Sequence, residues 1–292
     1  MPDESDKSMY LRDGRRLGYA EAGDPAGWPV LYFHGIPGSR REQHLESSIA
    51  EELGLRLIVL ERPGYGLSEH QPGRRLLDWI ADVEEFADRL ELSRFSVMGF
   101  SGGGPYALAC AHGLARRITS TSLISSSSPY AAIYAGSERL PANLALFELA
   151  RNDPQQALSM MENLAGEGGK LYHLVADMLG EAEKRIMSAP ALAAMYRENM
   201  VEAVRQGVEG LVRDMAIVAD DWGFSIEDIT SPVYLWHGLA DTLTQPAMGH
   251  YLHEILPNCQ GTFLPEEGHF LVFPRWREIL TELVSAHGKR ER

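Results

Sequence analysis

The polar and apolar positions of this chain follow two alternating patterns. Short, continuous apolar stretches are typical of strands buried on both faces of a parallel sheet, and longer segments with an apolar residue every three or four positions are typical of amphipathic helices. The predicted strands are residues 29–34, 55–60, 93–100, 119–126, 233–237 and 261–264. The predicted helices lie between them, at residues 40–53, 76–92, 103–114, 245–256 and 270–287. This alternation predicts a mostly parallel sheet with helices on both faces.

Two segments depart from the alternation. Residues 9–22 predict a hairpin with its tight turn at Arg12-Asp13-Gly14-Arg15. Residues 129–222 contain several helical patterns, no convincing strand and seven of the eleven methionines. A helical core and an adaptable apolar lid over a pocket both fit this composition, because methionine fills irregular gaps. The predicted organisation is a core of residues 1–128 and 223–292 with residues 129–222 inserted as a helical cap.

Composition limits the partners and compartments that fit the chain. It has 292 residues, 45% of them hydrophobic, and a formal net charge of -14. A surface this acidic repels phosphate groups, so we expect no nucleic-acid and no membrane partner. The N-terminus lacks the apolar stretch of a secretion signal and no apolar run is long enough to span a membrane, which predicts a cytoplasmic protein. Cys110 and Cys259 form no disulfide framework and no zinc motif, although one pair between them stays open.

The run from Gly99 to Pro105 carries the strongest chemical signal. It places Ser101 between glycines two residues away on each side, after an apolar strand pattern and before a helical pattern. A serine at such a strand-to-helix turn takes a strained backbone conformation, and its neighbours must be small because their backbones nearly touch. The strain exposes the hydroxyl to a base. Ser101 is therefore a candidate nucleophile.

A serine nucleophile needs a general base, usually histidine, and a carboxylate that holds the imidazole in the right tautomer. Active groups of a parallel sheet gather at the carboxyl ends of its strands. Asp241 follows the strand predicted at 233–237, and His269 follows the strand predicted at 261–264. We therefore predict a triad of Ser101, His269 and Asp241. The alternatives left open are His237 as the base and Asp220, Asp221 or Asp228 as the acid.

The transition state of acyl transfer also needs preorganised donors for its developing oxyanion. The backbone N–H of Gly102 is one candidate, because it follows the nucleophile at a helix N-terminus. The backbone N–H of Ile36, in the loop after the strand predicted at 29–34, is the other. We expect His34 and Gly35 to brace this loop by hydrogen bonds.

With these residues in place, the chain resembles the α/β-hydrolase fold superfamily over residues 10–282. The resemblance is carried by His34-Gly35-Ile36-Pro37-Gly38-Ser39, Arg62-Pro63-Gly64-Tyr65-Gly66-Leu67-Ser68, Gly99 to Pro105, His237-Gly238 through Asp241 to Pro246, and Gly268-His269-Phe270. It implies an α/β fold with an eight-stranded, mostly parallel sheet, helices on both faces and an inserted all-helical cap. It also implies that Ser101 is the elbow nucleophile, Asp241 the acid after the seventh strand and His269 the base after the eighth.

The resemblance disfavours some subclasses. Haloalkane dehalogenases and epoxide hydrolases use an elbow aspartate, whereas this chain has a serine. Proline iminopeptidases usually have His-Gly-Gly-Pro-Gly in the oxyanion loop, and Ile36 replaces the second glycine here. Peptidase activity is therefore less favoured.

We expect a serine hydrolase, a carboxylesterase of class EC 3.1.1.-, that cleaves a small carboxylic ester through an acyl-enzyme. A carbon–carbon bond hydrolase, a lactonase, an acyltransferase or perhydrolase, and an aminopeptidase would use the same triad. A receptor-like protein that binds a small ligand with little turnover is the alternative from another class. We expect no cofactor and no metal site, a small-molecule substrate as partner, and leave a homodimer open.

Overall fold

The computed structural model describes residues 6–44, 47–134, 141–166 and 170–288. The strands of this described part form one eight-stranded sheet in the order β1-β2-β4-β3-β5-β6-β7-β8. Strand β2 pairs antiparallel with β1 and β4, and the other neighbours are parallel, which confirms the predicted mostly parallel sheet. The strands are β1 (Asp6–Tyr10), β2 (Arg16–Gly23), β3 (Trp28–Phe33), β4 (Leu55–Leu60), β5 (Phe95–Phe100), β6 (Ile118–Ile124), β7 (Val233–Gly238) and β8 (Cys259–Leu264).

Helices connect the parallel strands and fill the inserted segment. The α-helices of the described residues are α1 (Ser47–Glu52), α2 (Asp78–Arg89), α3 (Gly104–Gly113), α4 (Tyr130–Tyr134), α5 (Ala142–Asn152), α6 (Pro154–Gly166), α7 (Lys170–Met178), α8 (Glu181–Met187), α9 (Pro190–Ala203), α10 (Glu209–Ala219), α11 (Pro246–Ile255) and α12 (Trp276–Gly288). Within the described ranges, no helix is both long and apolar enough to cross a membrane.

Alternate residues of the central strands enter two separate apolar cores. In β3, Leu31 and Phe33 pack in the cluster that includes α2, α3 and α11. Val30 and Tyr32 point the other way, into the cluster that includes α1 and α12. Strand side chains alternate between the two faces of a sheet, so a continuous apolar strand must be covered on both. The predicted layers of helices on both faces are confirmed.

Some predicted elements differ from the structure. The helix predicted at 40–53 is a 3-10 helix, Arg40–His44, followed by α1, and residues 45 and 46 lie outside the described residues. The helix predicted at 270–287 is a 3-10 helix, His269–Val272, followed by α12, with Pro274 between them. Proline lacks the backbone N–H that a continuous helix would use there.

The described part of the inserted segment consists of helices and the turns that connect them. Helices α4 to α10 fall within residues 129–222, and these described residues contain no strand, which agrees with the predicted all-helical cap. Residues 135–140 and 167–169 of this segment lie outside the described residues. Met161, Leu171 and Met215 belong to an apolar cluster of the cap that also takes in Tyr65 of the core. The domain limits at 128 and 223 remain a prediction.

Candidate active site

Ser101 lies at the turn between β5 and α3. Its φ is +54°, in the left-handed region that costs a non-glycine residue on the order of 1 kcal/mol or more. Strand β5 ends at Phe100, and the 3-10 turn Ser101–Gly103 leads directly into the helix. A methyl group on Gly99 would lie 2.5 Å from the carbonyl oxygen of Gly103. The close backbone approach predicted for the glycines around the serine is therefore present.

The predicted acid and base lie beside this serine. His269 Nε2 is 2.9 Å from Ser101 Oγ, and His269 Nδ1 is 2.9 Å from Asp241 Oδ2. Because an ionised carboxylate only accepts, Nδ1 carries the proton and Nε2 is free to accept the serine proton. Strands β5, β7 and β8 end at the same edge of the sheet, and this brings the three side chains together from distant parts of the chain.

Asp241 is fixed by hydrogen bonds that sequence reasoning missed. Thr244 Oγ1 donates to Asp241 Oδ2 over 2.7 Å and also lies 2.9 Å from His269 Nδ1. The N–H groups of Leu243 and Thr244 donate to Asp241 Oδ1 over 2.8 and 2.9 Å. A turn of the type Asp-x-x-Thr is a common local motif, so its spacing alone could have suggested the contact.

The surroundings of Asp241 favour its charged form. Burial by itself would raise the pKa of this carboxyl. The electrostatic interaction with His269 and the hydrogen bonds from His269 and Thr244 outweigh burial and hold the pKa of Asp241 below its usual value. Asp241 can therefore orient His269 as a carboxylate.

The residues considered as an alternative base or acid make other contacts. His237 is buried, and its Nε2 lies 2.8 Å from the carbonyl oxygen of Thr244 and 3.7 Å from Asp241 Oδ2. Burial lowers the pKa of His237. The ring is therefore a neutral donor, and it supports the loop that carries Asp241 and Thr244. The fallback acids Asp220, Asp221 and Asp228 are exposed side chains.

The backbone of His269 is held from two sides. The Glu183 carboxylate of α8 accepts the His269 N–H over 2.5 Å, and Ser125 Oγ donates to the His269 carbonyl oxygen over 2.9 Å. Glu183 is fully buried. Sequence reasoning missed Glu183 because it lies 86 positions before the residue it contacts.

The predicted oxyanion loop, residues 34–38, lies against the turn that carries Ser101. A methyl group on Gly102 would lie 2.7 Å from Cγ1 of Ile36, so the Ile36 side chain packs against Gly102. A methyl group on Gly35 would lie 3.7 Å from Cβ of Ser101. His34 is fully buried, and its Nδ1 donates to the Gly35 carbonyl oxygen over 2.8 Å. The predicted bracing of the loop by His34 and Gly35 thus corresponds to a hydrogen bond in the structure.

Comparison with known proteins identifies the family of the chain. Residues 29–275 match the family described as alpha/beta hydrolase fold. The chain belongs to this family. In this alpha/beta hydrolase, the side chains of Ser101, Asp241 and His269 come together at the carboxyl ends of parallel strands.

Individual relatives of this hydrolase are distant. A proline iminopeptidase of Xylella fastidiosa (strain 9a5c) is 31% identical over 106 residues, which are 35% of this chain and 34% of that protein. The match thus spans about a third of the length of that curated relative. An esterase from Thermogutta terrifontis, solved with malate bound, superposes with a TM-score of 0.73 at 22% identity and covers 97% of this chain and 99% of its own. An enol-lactonase from Burkholderia xenovorans LB400 gives a TM-score of 0.72 at 20% identity, over 97% of this chain and all of its own. The two structures share the fold with this hydrolase.

A cavity of about 90 Å³ separates the Ser101 hydroxyl of this hydrolase from its cap. Among the described residues that line it, there is no Asp, Glu, Lys or Arg. The cap contributes chiefly apolar side chains, which include Phe147, Met161, Leu171, Met178, Tyr196 and Met215. A larger groove of about 430 Å³ lies between residues 70–77 and the cap helices, but no triad or oxyanion residue lines it. We therefore assign the site to the smaller cavity.

Proposed function

We propose that this hydrolase is a serine carboxylesterase that cleaves small, uncharged carboxylic esters through an acyl-enzyme. One observation carries the proposal: Ser101 Oγ, His269 and Asp241 form a chain of 2.9 Å contacts that opens into an uncharged cavity. Nucleophilic catalysis needs a serine that is held in a strained turn with its hydroxyl group hydrogen-bonded to a general base. A purely structural serine would give no reason for the strain at φ +54°.

The proposed reaction has two acyl-transfer steps. Ser101 Oγ attacks the ester carbonyl carbon while His269 Nε2 takes the hydroxyl proton, and the N–H groups of Ile36 and Gly102 stabilise the oxyanion. His269 then protonates the leaving alcohol, and the carbon–oxygen bond to the alcohol breaks. Water enters, gives a proton to His269 and attacks the acyl-enzyme. The carboxylic acid leaves, and Ser101 regains its proton.

The size of the cavity supports a short acyl group. The cavity beside Ser101 measures about 90 Å³, which is small compared with the roughly 300–1,000 Å³ of typical ligand pockets. Acetyl to butyryl groups fit this volume, whereas a long acyl chain would need the cap to move. We therefore expect turnover to fall steeply beyond a four-carbon acyl group.

The chemistry of the lining disfavours an aminopeptidase. Recognition of a free α-amino group needs a carboxylate or several acceptors near the scissile bond, because an unpaired buried ammonium is strongly disfavoured. The described lining of the cavity offers no Asp or Glu. An uncharged ester fits this lining better than an amino-terminal peptide.

The test is a series of p-nitrophenyl esters with acyl groups of two, four, eight and twelve carbons. Wild type should turn over the two- and four-carbon esters fastest, at ordinary enzyme rates of roughly 1–1000 per second. Ser101→Ala should remove this turnover, and the control Ser122→Ala, a buried hydroxyl on β6, should retain it. Rates below about 0.01 per second for every ester would instead favour a ligand-binding protein.

Products must also be identified, because lactonases, acyltransferases and carbon–carbon bond hydrolases would use the same three residues. Formation of free acid in proportion to released alcohol supports hydrolysis. Formation of a new ester with an added alcohol at the expense of free acid would contradict it. The cytoplasmic location and the lack of nucleic-acid or membrane partners remain predictions from composition.

A further inference from the structure

Arg62, the first residue of the Arg-Pro-Gly motif after β4, is a fully buried cation that the proposed reaction leaves unused. Its guanidinium contacts the oxyanion loop through two donors. Nη1 donates to the His34 carbonyl oxygen over 2.5 Å, and Nη2 donates to the Gly35 carbonyl oxygen over 2.9 Å. A guanidinium presents its donors in a rigid fork, so these two consecutive carbonyl groups are held in one direction.

The direction of the Gly35 carbonyl group fixes the direction of an N–H group. The carbonyl of Gly35 and the N–H of Ile36 belong to one planar trans peptide unit, in which they point in opposite directions. The Gly35 oxygen accepts from Arg62 Nη2 and from His34 Nδ1, over 2.9 and 2.8 Å. While both donors hold this oxygen, the Ile36 N–H must point away from Arg62.

His34 supports the same orientation because its tautomer is fixed. Its Nε2 accepts the backbone N–H of Arg62 over 3.2 Å, which leaves Nδ1 as the donor to Gly35. Burial and the adjacent charge of Arg62 hold the pKa of His34 well below its usual value, so the ring is neutral. On the other side of the loop, the Gly35 N–H faces the Glu42 carboxylate at 3.4 Å.

The cap supplies the partner of this cation. Asp214 of α10 is fully buried and accepts Arg62 Nε over 2.6 Å. Asp214 also pairs with Arg74 and accepts the Tyr106 hydroxyl over 2.6 Å. A buried guanidinium without a carboxylate would be strongly unfavourable, so the position of Arg62 depends on a residue of the cap.

We propose that Arg62 is a positioning residue that aims the Ile36 N–H at the oxyanion, and that Asp214 of the cap holds Arg62 in place for this task. The inference rests on the proposed function, since it gives the Ile36 N–H its role. The cap then does more than enclose the substrate, because its carboxylate is part of the support of the oxyanion hole.

The test compares Arg62→Met with the matched variant Arg74→Met in the full-length protein. Both residues are buried and both pair with Asp214, but Arg74 donates to Tyr106 and Pro63 and makes no hydrogen bond to the oxyanion loop. Both variants should be less stable than wild type. For a two-carbon p-nitrophenyl ester, Arg62→Met should lower kcat about 10- to 100-fold with KM changed less than about 3-fold, which approaches the effect of losing one oxyanion donor. Arg74→Met should keep kcat within about 3-fold.

Crystal structures of the variants give a readout that does not depend on turnover. In Arg62→Met the Gly35–Ile36 peptide should turn or become disordered, and in Arg74→Met it should stay in place. If Arg62→Met does not fold, Arg62→Lys serves instead, because a single ammonium keeps the charge pair but cannot hold both carbonyl groups.

An unmoved Gly35–Ile36 peptide in a folded Arg62 variant would overturn the inference. Equal losses of kcat in the Arg62 and Arg74 variants would also overturn it, since they would reflect general destabilisation. A turned peptide with unchanged ester turnover would support the positioning but would refute the oxyanion role of Ile36 in the proposed function. The two ideas therefore fail in distinguishable ways.

Discussion

Glu42, next to the oxyanion loop, should make the protein less stable as pH rises. An ordinary ion-paired carboxylate has the opposite effect, because it makes a protein more stable as pH rises. Its buried carboxylate accepts the Tyr32 hydroxyl over 2.9 Å and Asn199 Nδ2 over 3.1 Å. Burial raises its pKa from 4.5 to about 7, despite these hydrogen bonds and the charge of Arg62. Glu42 therefore carries a proton in the folded protein at pH values where the unfolded chain has lost it.

The sign of the effect is set by proton binding. Between pH 4.5 and about 7 the folded state binds one more proton at this site than the unfolded state, so the free energy of unfolding falls as pH rises through this window. At about 1.4 kcal/mol for each tenfold change in proton affinity, the full loss is roughly 3 kcal/mol. It is absent at lower pH and complete once the pH exceeds the folded pKa.

Glu42→Gln isolates this contribution, because glutamine stays neutral at every pH. The free energy of unfolding should be measured by urea titration near pH 5 and near pH 8, with m-values compared to confirm a common transition. From the lower to the higher pH, the variant should gain roughly 2–3 kcal/mol relative to wild type. Glu61, whose pKa burial also raises to about 7, is unchanged in both proteins and cancels.

The control is Glu84→Gln, which removes an equal charge from an exposed position on α2. Its difference from wild type should change little with pH. If the difference between Glu42→Gln and wild type is the same within about 0.5 kcal/mol at both pH values, Glu42 is not a protonated buried carboxyl and the reasoning is wrong.

Three further predictions concern the triad. Asp241→Asn should lower kcat for p-nitrophenyl acetate by up to about four orders of magnitude by favouring the wrong tautomer of His269; a rate near wild type would point to another acid. Thr244→Val should lower kcat about 5-fold, as expected for one hydrogen bond of about 1 kcal/mol; an unchanged kcat would show that the hydroxyl does not support the acid. In urea titrations Ser101→Gly should be more stable than Ser101→Ala by about 1 kcal/mol, because glycine takes φ +54° without strain; a more stable alanine variant would contradict a strained elbow.

The sequence predicted the residues whose positions depend on local rules. Ser101, Asp241 and His269 each come after an apolar strand, and the carboxyl ends of parallel strands meet at one edge of the sheet. The glycines around Ser101 were predictable because a tight turn between strand and helix leaves no room for side chains. The sheet and its two covered faces were predictable because a continuous apolar strand must be buried on both sides.

Some of the supporting residues could not be predicted because they act over long separations. Glu183 contacts a residue 86 positions away, and Asp214 contacts Arg62 over 152 positions. No periodicity or spacing connects such residues before the cap is folded onto the core. The size of the cavity beside Ser101 was equally impossible to predict, since it depends on which cap side chains point inwards. Sequence alone indicated only that the cap is rich in methionine.

The most direct test of the central claim is covalent labelling with an active-site-directed fluorophosphonate, followed by mass mapping. Wild type should gain one phosphonyl group on the peptide that contains Ser101, and His269→Ala should label far more slowly with its fold intact by circular dichroism. A label on another residue, or no label in a protein whose cavity admits the probe, would contradict the assignment of Ser101 as the nucleophile.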